Sequence, residues 1–412
     1  MAFLFLLVYL VVVYLRPAEW IPFFYGWQFG DVTLIGGTVL ALFHAGLTRK
    51  GLVNVPHTGM LMALVAAVAL SHLVHTYVGG MIGALTAFAT IAVTYFLMIN
   101  TVTSETRFRI VLWTVLALTA LLAWQGVYQF QHLHGWAGQG MASNRRIRWI
   151  SIFNDPNDLA LAFVIMVPVL VAILLKRGFI GLKIVPLGLL GLVLYAIFLT
   201  NSRGGMLGLM AAITFFFVKR SRWVVPGMTV GGCLAALVFT FGPSRLGLLS
   251  ATDESAYGRL DAWYYGFQLL KSSPLFGAGF NMFTEDYPIT AHNSFMLAAS
   301  ELGLVGLVAW VGLLYTAFKG LSLVQRHVAR LAPYAYGLQA GLVGFGATAF
   351  FLSRTYNDLV YLLCGLSASL YHVAAQQTDL VVFRLTRRDL RNILLWALGS
   401  LLLIQFAMKA WL

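Results

Sequence analysis

Long apolar runs, parted by short connections rich in Gly, Pro and basic residues, occupy most of the chain. They lie near residues 3–15, 31–47, 58–76, 80–100, 107–131, 152–175, 182–200, 204–218, 223–241, 294–318, 333–353, 357–374 and 392–411. A hydrocarbon layer of roughly 30 Å takes about 20 apolar residues per helix, so each run predicts a membrane span. The runs are continuous, without the alternation of period two that marks an outer-membrane barrel, and a lone segment in lipid must satisfy its own backbone as a helix. The first run is short and the last stands apart, so the expectation is an all-α polytopic membrane protein with 12–13 transmembrane helices. The opening MAFLFLLVYLVVVYL has no basic leader and no small-residue cleavage site; it reads as a retained first helix rather than a signal peptide.

Two polar stretches interrupt the pattern, one at about 132–151 and a larger one at 242–293. In the second, 253–271 (DESAYGRLDAWYYGFQLLK) predicts an amphipathic helix: Leu260, Trp263, Tyr264, Phe267 and Leu270 recur at three- and four-residue steps. Asp253 and Glu254 stand at its start, where the helix dipole favours anions. A helix of this kind suits the membrane surface. The chain divides accordingly into N-terminal spans (1–151), a core with the large loop (152–320, loop 242–293) and C-terminal spans (321–412).

Composition agrees: 60% of residues are hydrophobic and 10% charged, with a mean hydropathy of +0.84, where a soluble domain carries about 25% charged residues. Charge fixes the orientation. With the N-terminus in the cytoplasm, 17 of the 27 Lys and Arg fall in cytoplasmic loops, as the positive-inside rule requires. The outer set is Arg16, Arg145, Arg146, Arg148, Arg203, Arg245, Arg259, Lys271, Arg354 and Lys409. The two cysteines, Cys233 and Cys364, lie inside apolar runs and read as small buried hydrophobes. The pairs His72/His75 and His132/His134 have no carboxylate set beside them, so no metal site is expected.

Outer arginines oppose the topology bias, and each allows two readings. Arg203 in NSRGG and Arg259 beside Gly258 are either interfacial arginines reaching for lipid headgroups or ligands for an anion; Arg145, Arg146 and Arg148 are either a solvated loop or part of the same receptor. Together, arginines from separate loops on one membrane face form a natural receptor for phosphate or pyrophosphate, because guanidinium binds such oxygens in a fork and stays charged. His292, in AHNSF, ends the large outer loop at the mouth of a span, as a candidate base or as a capping residue. In FNDPNDLAL (153–161), Asn154, Asp155, Asn157 and Asp158 open a span with Pro156 in its first turn, as helix caps or as a substrate-binding polar patch. Asn293 joins Asn157 among the candidate substrate contacts.

In order, FNDPNDLAL, TNSRGG, the loop with YGRLDAW, PLFGAGFNMF and AHNSFMLAASELGLVGL resemble the O-antigen ligase / Wzy polymerase superfamily over roughly residues 150–320. The run H-N-x-x-x-x-x-x-x-E-x-G-x-x-G, His292 to Gly306, is its most specific part. Length and the RPAEW after the first span are similar to putative O-glycosylation ligases associated with exosortase systems. The resemblance implies a GT-C-like helical fold with one large periplasmic loop, in the bacterial inner membrane with its active site on the periplasmic side. It implies transfer of a glycan from undecaprenyl pyrophosphate to an acceptor hydroxyl on lipid A-core, protein or glycan, inverting and metal-independent, with no cofactor and no nucleic acid. Arg203 and Arg259 would contact the pyrophosphate and His292 would activate the acceptor; the RRIRW run aligns with no motif of the superfamily. A Wzy-type polymerase uses the same donor chemistry. A polar-lipid transporter or flippase is the alternative of another class, and would place its charges near mid-membrane rather than at one face.

Overall fold

The computed structural model describes residues 1–48, 51–176, 180–220 and 254–411. The expected span 223–241, Cys233, Asp253, the loop stretch 242–253 and the basic residues Arg49, Lys50, Arg177, Arg222 and Arg245 lie outside them. In chain order the longer helices are α1 (Ala2–Leu15), α2 (Phe29–Thr48), α3 (Pro56–Leu73), α4 (Val78–Thr101), α5 (Glu105–His132), α6 (Pro156–Leu174), α7 (Ile184–Thr200), α8 (Arg203–Arg220), α9 (Glu254–Ser272), α10 (Ser294–His327), α11 (Ala332–Ala349), α12 (Asp358–Ala375) and α13 (Arg387–Trp411). Every expected span within the described residues is therefore a helix, and α9 is the expected amphipathic one. Among the described residues, eight helices are long and apolar enough to cross a membrane: α2 to α6, α10, α12 and α13. The apolar α1 and α7 are shorter. The chain is an all-α polytopic membrane protein.

The centre is α6, buried at nearly every position from Pro156 to Leu170. It runs against α11, and α11 against α8, at backbone distance: a Cβ on Gly337 would stand 2.7 Å from Val169 Cα, and one on Gly341 2.7 Å from the Ile165 carbonyl oxygen. Small residues allow this approach where lipid supplies no hydrophobic drive between helices. The outermost helices keep apolar residues on the outside, Val32, Ile35 and Phe43 on α2 and Leu395, Leu402 and Phe406 on α13, as a surface facing hydrocarbon requires.

One helix is not continuous. In α10, Gly303 takes φ 65° and ψ −168°, a left-handed φ that favours glycine. Segment 274–279 seats in the break: Ala278 N donates to Ser300 O (2.9 Å), Gly279 N to Glu301 O (3.0 Å), Leu304 N to Pro274 O (2.9 Å) and Val305 N to Leu275 O (3.1 Å). Backbone groups freed by the break are thus paired inside the protein, which is the condition for irregular backbone in a span. Glu301, 2% exposed, accepts from Phe283 N (3.0 Å). From α3, the ring N–H groups of His72 and His75 donate to Phe280 O (3.1 Å) and Gly277 O (2.9 Å), while Ser71 Oγ accepts from Phe280 N (3.0 Å). Residues 294–302 form a short half-helix, held from the side by this loop.

Candidate active site

The head of that half-helix meets the ends of α5 to α9, α11 and α12 at one end of the bundle, and helix-head chemistry wires them together. Asp155 caps α6, its Oδ1 accepting from Asn157 N (2.7 Å), with Pro156 in the first turn. Asn157 turns its amide inward: Oδ1 accepts from Arg146 Nη2 (2.8 Å) and from Ser202 Oγ (2.7 Å), while Nδ2 donates to Asp155 Oδ1 (2.9 Å). Ser202 Oγ in turn accepts from Gly205 N (3.1 Å) at the head of α8. FNDPNDLAL therefore caps a helix, as one of its two readings has it, and also ties the 142–148 and 200–205 segments to that helix.

The arginine run divides. Arg146 is half-buried and also donates from Nε to Thr200 O (2.8 Å). Arg148 donates to Gly140 O (2.9 Å) and to Asn154 Oδ1 (3.2 Å). Arg145 is exposed and lies over the Phe130 ring, 5.2 Å from its centroid. Sequence treats the three as one patch; Arg145 ends a 3-10 turn at a left-handed φ of 54° and stays outside, and of the three it is Arg146 that reaches Asn157 and Thr200.

His292 sits half-buried between two anchored neighbours. Its own φ is 47°, a left-handed conformation uncommon for a residue with a Cβ and found where surroundings over-determine the backbone. On one side Ala291 O accepts from buried Trp263 Nε1 of α9 (2.9 Å). On the other, Asn293, fully buried, caps α10 through Oδ1 to Phe295 N and Met296 N (2.9 Å each) and donates from Nδ2 to Phe350 O (3.0 Å). Burial first, then the positive charges of Arg259 and Arg354, hold the His292 imidazole below its ordinary value, against a smaller pull upward from Asp155. Arg259 on α9 and His292 are thereby brought into one electrostatic neighbourhood. Arg203 opens α8, half-buried; the next residue, Gly204, accepts at its carbonyl from Thr348 Oγ1 (3.4 Å), which sets the head of α8 against the end of α11.

Arg354 was one of ten outer cations in sequence, with nothing local to mark it. Here its Nη2 donates to Asp158 Oδ2 (2.7 Å), its Nε to Asp158 Oδ1 and its Nη1 to Ser353 O (2.7 Å). Along α9, Trp263 and Ala262 are buried and Leu260, Phe267 and Leu270 half-buried, but Tyr264 is 59% exposed. Trp263 and Tyr264 are about 100° apart on a helix: α10 covers the Trp263 side, and Tyr264 is left on the outer side, where a helix lying along the membrane surface would meet lipid.

Among curated proteins, none matches the chain. Residues 187–311 match the family model described as O-Antigen ligase. That stretch holds Arg203, Arg259, His292, Asn293 and the Gly303 break, while Arg146, Asn157, Asp158 and Arg354 come from outside it. The family model thus matches the middle of a multi-pass membrane bundle, and over that stretch the chain resembles the O-antigen ligase / Wzy superfamily.

Proposed function

We propose that the chain is a periplasmic-face glycosyltransferase of the inner membrane that moves a glycan from undecaprenyl pyrophosphate to an acceptor hydroxyl on lipid A-core or a protein. The observation that carries it is His292: a half-buried imidazole, kept neutral, on a strained turn whose neighbourhood includes the guanidinium charges of Arg259 and Arg354. The positive-inside count supports the periplasmic placement.

In this reading the acceptor oxygen attacks the anomeric carbon from the face opposite the pyrophosphate. The bond from that carbon to the pyrophosphate oxygen breaks, with inversion, and the hydroxyl proton passes to the His292 imidazole, from which water later removes it. Pyrophosphate leaves carrying the electron pair. Such a leaving group needs charge stabilisation more than a proton, and arginines fixed in advance supply it without metal. Arg203 and Arg259 take this role, each charge-assisted bond contributing roughly 1.5–3 kcal/mol. Arg146, Asn157 and Asn293 hold the surrounding segments in register, and Arg145 and Arg148 meet the donor's headgroup at the rim.

The test is direct: purified protein, lipid-pyrophosphate-linked glycan and one candidate acceptor at a time, with chelator and without nucleotide. Glycan should appear on one acceptor, with free undecaprenyl pyrophosphate released in equal amount. Transfer to a second lipid-linked glycan alone would make the chain a polymerase, and no transfer to any acceptor would remove the reading.

A further inference from the structure

The Asp158–Arg354 pair lies outside the matched stretch, and its two residues are 196 apart in sequence. Asp158 is 6% exposed, on a helix buried along most of its length. A carboxylate in such a place is costly unless a cation meets it, and the fork of Arg354 satisfies both its oxygens. The pair therefore fixes segment 350–355 to α6.

That segment in turn grips the turn at His292. Arg354 N donates to Ser294 Oγ (2.8 Å), Ser294 Oγ to Leu352 O (2.6 Å), Thr355 Oγ1 to Ser294 O (2.7 Å) and Asn293 Nδ2 to Phe350 O (3.0 Å), and Thr290 Oγ1 donates to Ser353 Oγ. Ser294 and Thr355 are fully buried, so these bonds are made away from water. Residues on both sides of His292 thus hang on a segment that Asp158 locks in place.

Building on the transfer reading above, we propose that Arg354, clamped by Asp158, is a positioning residue for His292: it fixes the turn that presents the imidazole and sets a permanent positive charge beside it. The charged groups whose fields reach His292 are Arg259 on α9, Arg354 on the 350–355 segment and Asp155 ahead of α6. Of the clamped pair it is the arginine whose charge is felt at the ring, and it opposes protonation. Geometry and charge here have separable consequences: Arg354→Gln removes both, whereas Arg354→Lys keeps the charge and loses the fork.

Two measurements on the full-length protein in detergent distinguish them. The first needs no substrate: diethyl pyrocarbonate modifies neutral imidazole, and the pH at which the His292 peptide is half-modified, followed by mass spectrometry, reports its titration. Arg354→Gln should move that midpoint upward toward ordinary imidazole, and Arg354→Lys should leave it where the wild type has it. The second is transfer: Arg354→Lys should be slower by roughly 100-fold, the scale of a displaced catalytic group. An unmoved midpoint in Arg354→Gln overturns the proposal. Should that variant not fold, Arg354→Lys decides alone: wild-type midpoint with slowed transfer upholds it, and full-speed transfer or a displaced midpoint sinks it. If wild type transfers nothing while the midpoint still moves in Arg354→Gln, the transfer reading falls and the positioning of His292 stands.

Discussion

Both ends of the bundle tie cations to carboxylates, in different ways. At the end away from His292, Glu105 in the first turn of α5 accepts from Arg330 Nε (2.9 Å) and pairs with Arg109 one turn along its own helix. There too Lys319 of α10 meets Asp389 of α13 (2.7 Å), with Tyr315 Oη donating to the same carboxylate (2.8 Å). These contacts fasten neighbouring helices, and the arginine side chains remain 39% and 67% exposed. At the His292 end the polar groups come from separated loops and helix heads, meet below the surface and carry an imidazole on a left-handed turn. Counting basic residues loop by loop orients the chain and says nothing of this difference. Burial and cross-loop wiring separate a clamp from a candidate site.

The sharpest way to break the comparison is to remove the imidazole. His292→Ala should fold and lose transfer by about 10²–10⁴-fold, the usual contribution of a positioned base; near-normal transfer would take His292 out of the chemistry. The pH profile gives a second reading of the same group. A base must be unprotonated, and His292 is held below the ordinary imidazole value of about 6.5. Transfer should therefore keep more than half its plateau rate at pH about 6.5 and fall only as pH drops further through the lowered value. A profile already halved above that pH would contradict the electrostatics described for His292.

Next in size are the arginines. Arg203→Ala and Arg259→Ala should each cost about 10²–10³-fold in transfer, the scale of losing one preorganised donor to a developing anion. Arg203→Lys should also be poor, because an ammonium cannot bind two oxygens in a fork. Smaller again is Gly303→Ala, which places a Cβ against the backbone of Leu275 at a left-handed φ. It should lower stability by roughly 1–3 kcal/mol, read as earlier thermal unfolding in detergent, and loosen the half-helix behind His292. An unchanged unfolding temperature would mean that the break in α10 is not needed.

Much of the architecture was readable from sequence because each span is a local signal: about twenty apolar residues declare themselves without reference to the rest of the chain. His292, Arg203 and Arg259 stand out in sequence as candidates, by position at loop ends and by resemblance. The wiring was not. Nothing near Arg354 points to Asp158, since their meeting depends on how α6, α10 and α12 stack. Ser-Glu-Leu-Gly reads as ordinary helix until the fold shows that Gly303 is left-handed and that Glu301 holds the 281–283 segment. His72 and His75, for which no metal was expected, donate instead to the carbonyls of a loop some 200 residues later, which nothing near them in sequence marks.

The smallest predicted effect tests the comparison from its other side. Glu105→Gln removes the carboxylate that pairs with Arg109 and Arg330, yet both arginines reach water and can rehydrate there. The Glu105 side chain is itself 10% exposed, but Gln keeps an oxygen that accepts from the arginines and both cations stay in contact with water, so unfolding should shift by no more than about 1 kcal/mol. Transfer should stay within about twofold of wild type, since a rate factor of ten needs about 1.4 kcal/mol at the transition state and Glu105 lies at the far end of the bundle. Loss of transfer in this variant, with the fold intact, would mean that the two ends are coupled and that the clamp contributes to the chemistry.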